Sequence, residues 1–352
     1  MVAVQTNPLF SVPQLDYSEI ASGEAREALI QVLQKYAFFY VVNIPGFDPK
    51  AELEAIKGFF EQPLDVKKKS ASKKHTPDNS NILRGYGYTT NIEGSPIEEV
   101  FNVGQYESRE VKKSQFSSTA EFISREPNKW PKEGECGPGS SSNFRDVISN
   151  GFQVRMRLAR TLLEEIAAGV GFGDLPDKFK EAEFSSFYLK KYTERDNKDN
   201  EKIYAPEAGY QMRTKEGKVL SIPSHIDTTV TLLATYSNGG LQAEYDGEWH
   251  DVPSVMGSLL VMTGSLISEL SDDQIPALVH RVIDIKRDRY STPFFFNPSF
   301  NADISRSVSG KTTKTGAQFA TFGPWQVTQL HRDEPLLLTS TSLATVPSNH
   351  SS

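Results

Sequence analysis

The stretch Ser224-His225-Ile226-Asp227-Thr228 lies inside a run, Val219–Tyr236, whose apolar and β-branched residues read as strand. Alternate side chains of a strand project from one side. His225 and Asp227 are therefore expected to present an imidazole and a carboxylate together. Working outward, Phe184–Tyr192, Gly240–Val252, Ser258–Met262, Leu278–Ile285 and Tyr290–Asn297 carry the same signature, with turn signals at Asn238-Gly239-Gly240 and Asp246-Gly247. The N-terminal half reads differently. An amphipathic helix is expected near Ala25–Tyr36, then a strand Ala37–Asn43 closed by Pro45-Gly46, then a helix from Pro49 to Glu61 that stops near Pro63. Lys67, Lys68, Lys69, Lys73 and Lys74 form a basic run that reads as a solvated helix end and loop. Residues 104–142 read as loop, and Asn143–Val170 as one long helix. Helices followed by many turn-separated strands predict a mainly β fold, a sandwich or barrel, with flanking α-helices. Thr193–Lys202 reads as an exposed connection, a short helix is expected from Pro324, and the last dozen residues carry no ordering signal.

Composition narrows the function. With 38 Lys+Arg against 45 Asp+Glu, the net charge is −7, which argues against a nucleic-acid binder. A single cysteine, Cys136, fits a reducing compartment, and no run approaches the ~18 apolar residues of a membrane span. Met1–Pro8 lacks the features of a secretory signal, so a cytoplasmic location is expected, with no membrane partner. Only six histidines are present. His75 and His350 lie in polar segments, His331 sits near the chain end, and His250 follows Trp249 in a half-exposed strand. The remaining two are His225 and His280, the latter in Leu278-Val279-His280-Arg281-Val282. If their strands are neighbours, His225, Asp227 and His280 place two histidines and one carboxylate on one face of a metal. That donor set suits non-haem iron and leaves positions open for substrate, cosubstrate and O2. A lone His-x-Asp also arises as a satisfied histidine beside an exposed acid. Nine residues after His280 comes Arg289, and Arg289 and Ser291 share a strand face suited to a small dicarboxylate. Taken alone, Arg289 reads first as a surface arginine of the cluster Lys286-Arg287-Asp288-Arg289, and as a carboxylate anchor only second.

Together these motifs resemble the isopenicillin N synthase-like family of Fe(II)/2-oxoglutarate dioxygenases. The resemblance is carried by His225-x-Asp227, the gap of 55 residues to His280, and Arg289-x-Ser291. Phe38-Phe39-Tyr40-Val41-Val42-Asn43, Phe59-Phe60-x-x-Pro63-Leu64-x-x-Lys67, Arg84-Gly85-Tyr86-Gly87, Gly240-Leu241-Gln242 with Asp246-Gly247-x-Trp249, and Pro293-Phe294-Phe295 follow in the family's order. The resemblance implies a double-stranded β-helix, or jelly roll, with the long helix packed against it. It implies that His225, Asp227 and His280 ligate Fe(II), and that Arg289 and Ser291 hold the distal carboxylate of 2-oxoglutarate. Tyr192 matches a strand tyrosine that assists cosubstrate binding, or it is a packed aromatic. The implied chemistry uses O2 to oxidise a small molecule while 2-oxoglutarate becomes succinate and CO2.

The chain departs from the family in places. Thr263-Gly264-Ser265 stands where a Gly-Asp pair is common, and Lys190 where many relatives have Asn. Glu216–Ser221 resembles the segment before the iron histidine in isopenicillin N synthase, which works without 2-oxoglutarate; a 2-oxoglutarate-independent iron oxidase is thus a second expectation. A jelly roll that only binds or senses is a third. Substrate-facing positions are expected at Tyr188, Lys190 and Thr229. Phe296 is expected there too, with core as its other reading, and Phe294 is read as pocket lining or core. One domain is expected over 1–352: a helical and strand part to about 180, a jelly-roll core at about 181–300, and a C-terminal lid and tail over 301–352. No apolar stripe demands a partner, so a monomer or weak homodimer is expected.

Overall fold

The apolar runs form two sheets packed against each other, with helices on the outer face of the larger one. The computed structural model describes residues 12–91, 93–108, 116, 118–132, 134–136, 144–193, 212–236 and 239–330. Thr193 apart, the expected connection Thr193–Lys202 lies outside these residues, as do the tail, His331 and His350. The first part runs β1 (Gln14–Asp16), α1 (Tyr17–Ser22), α2 (Arg26–Tyr36), β2 (Phe38–Val42), α3 (Pro49–Phe60), α4 (Leu64–Lys68), β3 (Gly85–Thr90) and β4 (Pro96–Val103). Then come α5 (Thr119–Ser124), the long α6 (Phe144–Val170), α7 (Leu175–Lys178), β5 (Ser186–Tyr192), β6 (Leu220–Ile226) and β7 (Val230–Thr235). The chain continues as β8 (Leu241–Tyr245), β9 (Glu248–Asp251), β10 (Leu259–Thr263), α8 (Ser265–Leu270), β11 (Val279–Ile283), β12 (Arg289–Phe296) and α9 (Phe322–Leu330).

The large sheet has the order β1-β2-β10-β7-β12-β5-β4-β3, and the small sheet β6-β11-β8-β9. The two-sheet, strand-rich arrangement is the expected jelly-roll core. Strand alternation explains its two apolar clusters. Phe39, Val41, Leu232, Phe294 and Phe296 face α2, α3 and α6, while Phe38, Tyr40, Leu233, Leu260 and Met262 meet Leu241, Ala243 and Val282 of the small sheet. Each such buried side chain contributes about 1.5–3 kcal/mol. Helix α3 begins as its sequence suggests: Asp48 Oδ1 accepts from Lys50 N at 3.1 Å and Ala51 N at 3.0 Å, with Pro49 in the first turn. Asp246 and Gly247, at φ 54° and 76°, close the β8–β9 hairpin between paired Tyr245 and Glu248, which is why this turn was legible.

Four expectations change. Val219–Tyr236 is two strands in different sheets, because the chain crosses between sheets at Asp227–Thr229. Strands β1 to β4, all before residue 180, belong to the large sheet, so the sheets extend beyond the expected core at 181–300. Lys67 is not solvated: it is buried, donates to Phe60 O at 2.9 Å and pairs with Glu99, which also accepts from the Tyr86 hydroxyl at 2.6 Å. Residues 301–330, expected as a lid, instead bury Ile304, Phe322, Trp325 and Val327 in the helix-side cluster. Among the described residues no helix is long and apolar enough to cross a membrane.

Candidate metal centre

Strands β6 and β11 are neighbours, and their register sets His225 directly opposite His280. The two imidazole centroids lie 4.2 Å apart. Asp227 sits just past the end of β6, where the chain turns toward the large sheet, and its Oδ1 is 3.6 Å from His225 Nε2 while Oδ2 is 3.8 Å from His280 Nε2. One donor atom from each of the three residues falls within 4.8 Å of the others. The far ring nitrogens are engaged by backbone, His225 Nδ1 at 2.9 Å from Pro223 O and His280 Nδ1 at 3.4 Å from Leu278 O. Protons held there leave both Nε2 lone pairs directed at the carboxylate, the arrangement that orients histidine ligands. Burial, then the neighbouring His280, pushes the His225 pKa down to about 4, so this ring is neutral and able to donate its lone pair at pH 7. These donors fit a hard-to-borderline ion such as Fe(II), with one face free. The His225 side chain is 34% exposed against 7% for His280 and 8% for Asp227, so the centre opens on the His225 side.

The turn that carries Asp227 is clamped from α8. Ser265 N donates to Asp227 O at 2.9 Å, Leu266 N to Thr228 O at 2.8 Å, and Gly264 N to Thr229 O at 2.5 Å. A Cβ at Gly264 would stand 2.4 Å from Asp227 O, so only glycine allows this approach.

A second group of polar side chains lies on the inner face of the large sheet. Arg289 pairs across β12–β5 with Tyr192, and Ser291 with Lys190, which puts all four on one side. Arg289 is 3% exposed; it donates through Nη1 to Ser291 Oγ at 3.1 Å, and its Nε has no hydrogen-bond partner. No carboxylate of the described residues pairs with it, and burial lowers its pKa. A buried guanidinium with no counter-ion among the described residues, beside a hydroxyl able to donate, fits the distal carboxylate of a dicarboxylate such as 2-oxoglutarate. The Tyr192 ring lies beneath, its centroid 5.4 Å from the guanidinium carbon. Lys190 Nζ pairs with Glu98 Oε1 at 3.3 Å and sits 5.9 Å and 5.7 Å from the Tyr188 and Tyr192 ring centroids.

Two expected substrate positions are corrected. Phe296 and Phe294 point to the helix side of β12, since Arg289 and Ser291 occupy the opposite parity; Phe296 lies 4.9 Å from the Phe179 ring, inside the core. Thr229 is buried in the crossover, its hydroxyl donating toward Phe296 O at 2.5 Å with Asn297 Oδ1 at 2.8 Å, so it serves the turn. The residue that shares the Arg289 face is Phe295, half-buried and 5.6 Å from the Tyr188 ring, and correct strand parity would have found it. Glu98 and Thr231 were also missed. The first lies on a strand with no recognised signal; the second sits two residues past the unseen crossover, and its Oγ1 donates to Asp227 Oδ2 at 2.6 Å.

Comparison with known proteins agrees with this geometry. Residues 197–298 match the model of the 2OG-Fe(II) oxygenase superfamily, and residues 12–133 match the model of the non-haem dioxygenase in morphine synthesis N-terminal region. Isopenicillin N synthase of Amycolatopsis lactamdurans is 27% identical over 302 residues, 82% of this chain and 85% of that protein. Clavatol oxidase of Penicillium crustosum is 27% identical over 333 residues, 86% of this chain and 90% of that protein. In fold, the chain is similar to a full-length Neurospora crassa protein solved in complex with alpha-KG, with a TM-score of 0.67 at 22% identity, covering 92% of this chain and 96% of that one.

Proposed function

The chain belongs to the isopenicillin N synthase-like group of the 2OG-Fe(II) oxygenase superfamily and is a non-haem Fe(II)/2-oxoglutarate-dependent dioxygenase, and from that premise we propose that it oxidises a small molecule of specialised metabolism by hydroxylation, desaturation or ring rearrangement, with succinate and CO2 as coproducts. The observation that carries this reading is the buried Arg289, which no acid of the described residues pairs, with Ser291 on the inner face of the large sheet, where Ser291 pairs with the Lys190 whose charge acts on His225. In this reading His225, Asp227 and His280 hold the iron, which when bound supplies the activation of O2. Arg289 and Ser291 fix the distal carboxylate of 2-oxoglutarate, and Tyr192 packs beneath the guanidinium. Tyr188, Phe295 and the Glu98–Lys190 pair line the substrate side: two rings for an apolar body, and adjacent donor and acceptor groups for its polar edge. The match to clavatol oxidase supports the specialised-metabolism setting, and the net charge of −7 supports a small-molecule rather than a nucleic-acid substrate. The test is succinate release from 2-oxoglutarate by the Fe(II)-loaded enzyme across a panel of candidate metabolites. A substrate raises succinate and appears as an oxidised product in equal amount; substrate oxidation with no 2-oxoglutarate consumed would overturn the reading.

A further inference from the structure

We infer that Thr231 is a positioning residue that restrains Asp227 to a single donor oxygen and so keeps a coordination position open. The inference rests on the metal centre proposed above. Both oxygens of Asp227 flank the space between the imidazoles, Oδ1 beside His225 Nε2 at 3.6 Å and Oδ2 beside His280 Nε2 at 3.8 Å. An unrestrained carboxylate there is able to offer one oxygen or both. A bidentate carboxylate would occupy one of the positions that a two-histidine, one-carboxylate centre leaves for other ligands. Thr231 Oγ1 donates to Oδ2 at 2.6 Å, the length of a strong hydrogen bond to an ionised oxygen, and both residues are buried. This hydrogen bond ties up Oδ2 and favours Oδ1 for the ion.

The threonine is itself held. It is the second residue of β7, and β-branching in a strand restricts its χ1. Its register neighbours on the same face are Phe295 of β12 and Met262 of β10, neither of which offers a side-chain oxygen to compete for the hydroxyl proton. The backbone of Asp227 is fixed separately by Ser265 N. Main chain and carboxylate are thus restrained from two directions, and among the described residues Thr231 is the hydrogen-bond donor to the carboxylate.

The test compares wild type, Thr231→Val, which removes the hydroxyl at similar size, and Thr231→Ser, which keeps it. Anaerobic titration gives the Fe(II) dissociation constant, and addition of 2-oxoglutarate to the Fe(II)-saturated protein gives its affinity and the visible charge-transfer absorption of the chelate. The expected result is a rise of roughly tenfold to hundredfold in the Fe(II) constant for Thr231→Val. A shifted absorption band is expected with it, and both return toward wild type in Thr231→Ser. Wild-type iron affinity with an unchanged band in Thr231→Val would overturn the inference, as would a Thr231→Ser defect equal to that of Thr231→Val. If wild type itself binds no Fe(II), the metal centre fails and this inference falls with it.

Discussion

Arg289 and His75 show opposite uses of burial at the scale of one residue. Arg289 is buried beside Ser291 and the Tyr192 ring, and no acid of the described residues pairs with it, so a bound carboxylate would supply the missing partner. Hydrogen bonds to charged groups contribute about 1.5–3 kcal/mol, so Arg289→Met should weaken 2-oxoglutarate binding to the Fe(II)-loaded protein by roughly tenfold to hundredfold. Binding isotherms check this, with the Fe(II) constant unchanged. His75 instead gives up its charge. Its ring stacks on Tyr88 at 4.3 Å, its Nε2 accepts from Tyr88 N at 3.2 Å, and burial followed by Lys74 and Lys68 pushes its pKa from 6.5 to about 4. Between those values the unfolded chain binds more protons than the folded one, so this contribution is present above pH 6.5 and lost as pH falls toward 4. His75→Gln should flatten the acid limb of stability against pH in that window, measured by urea unfolding; an unchanged slope would contradict it. The sequence showed Arg289 and its partner by strand parity. It did not show His75, whose polar neighbourhood hides a ring folded back onto β3.

At the scale of elements, the decisive feature is the crossing between sheets after Ile226. The apolar run Val219–Tyr236 has no Gly, Pro or Asn at the crossing, so its pattern reads as one strand. What breaks it is tertiary: three amides at the start of α8 take the carbonyls of Asp227, Thr228 and Thr229. The pairing of His225 with Asp227 was legible from spacing, although the second residue lies in a turn rather than a strand. Phe296 was misplaced because the parity that joins Arg289 to Ser291 was not carried further along β12. Gly264→Ala tests the clamp. Its methyl group would meet Asp227 O at 2.4 Å, so the turn must shift. Iron affinity is expected to fall at least about tenfold, in the range seen for outer-shell changes at metal sites, together with a lower melting temperature. Calorimetric titration with Fe(II) and thermal unfolding read the two effects; wild-type values in both would remove the clamp from the account.

Over the whole molecule, the large sheet separates two kinds of interior. Its inner face looks onto the metal centre, while among the described residues its helix side holds apolar side chains around two buried ion pairs. Arg155 donates to both carboxylate oxygens of Glu52, at 2.8 Å and 2.6 Å, and Lys67 pairs with Glu99. Removing one partner of a buried pair strands the other, at about 3–5 kcal/mol. Lys67→Met should therefore cost about 3 kcal/mol in denaturant unfolding and leave Fe(II) affinity intact, because the pair lies on the opposite face from the triad. None of this was readable from a run of five lysines, since helical periodicity over so few residues does not say which one turns inward. The order of helices and strands gave the β-rich architecture; β3 and β4 escaped because their polar positions, Glu98, Glu99 and Asn102, are satisfied only by partners distant in sequence. The central claim is that the triad and Arg289 form one iron and 2-oxoglutarate site, and its most direct test is anaerobic addition of 2-oxoglutarate to the Fe(II)-loaded protein. Wild type is predicted to develop a visible charge-transfer absorption that His280→Ala and Arg289→Met lose at the same ligand concentration; absence of the band in wild type, or its persistence in His280→Ala, would contradict the claim.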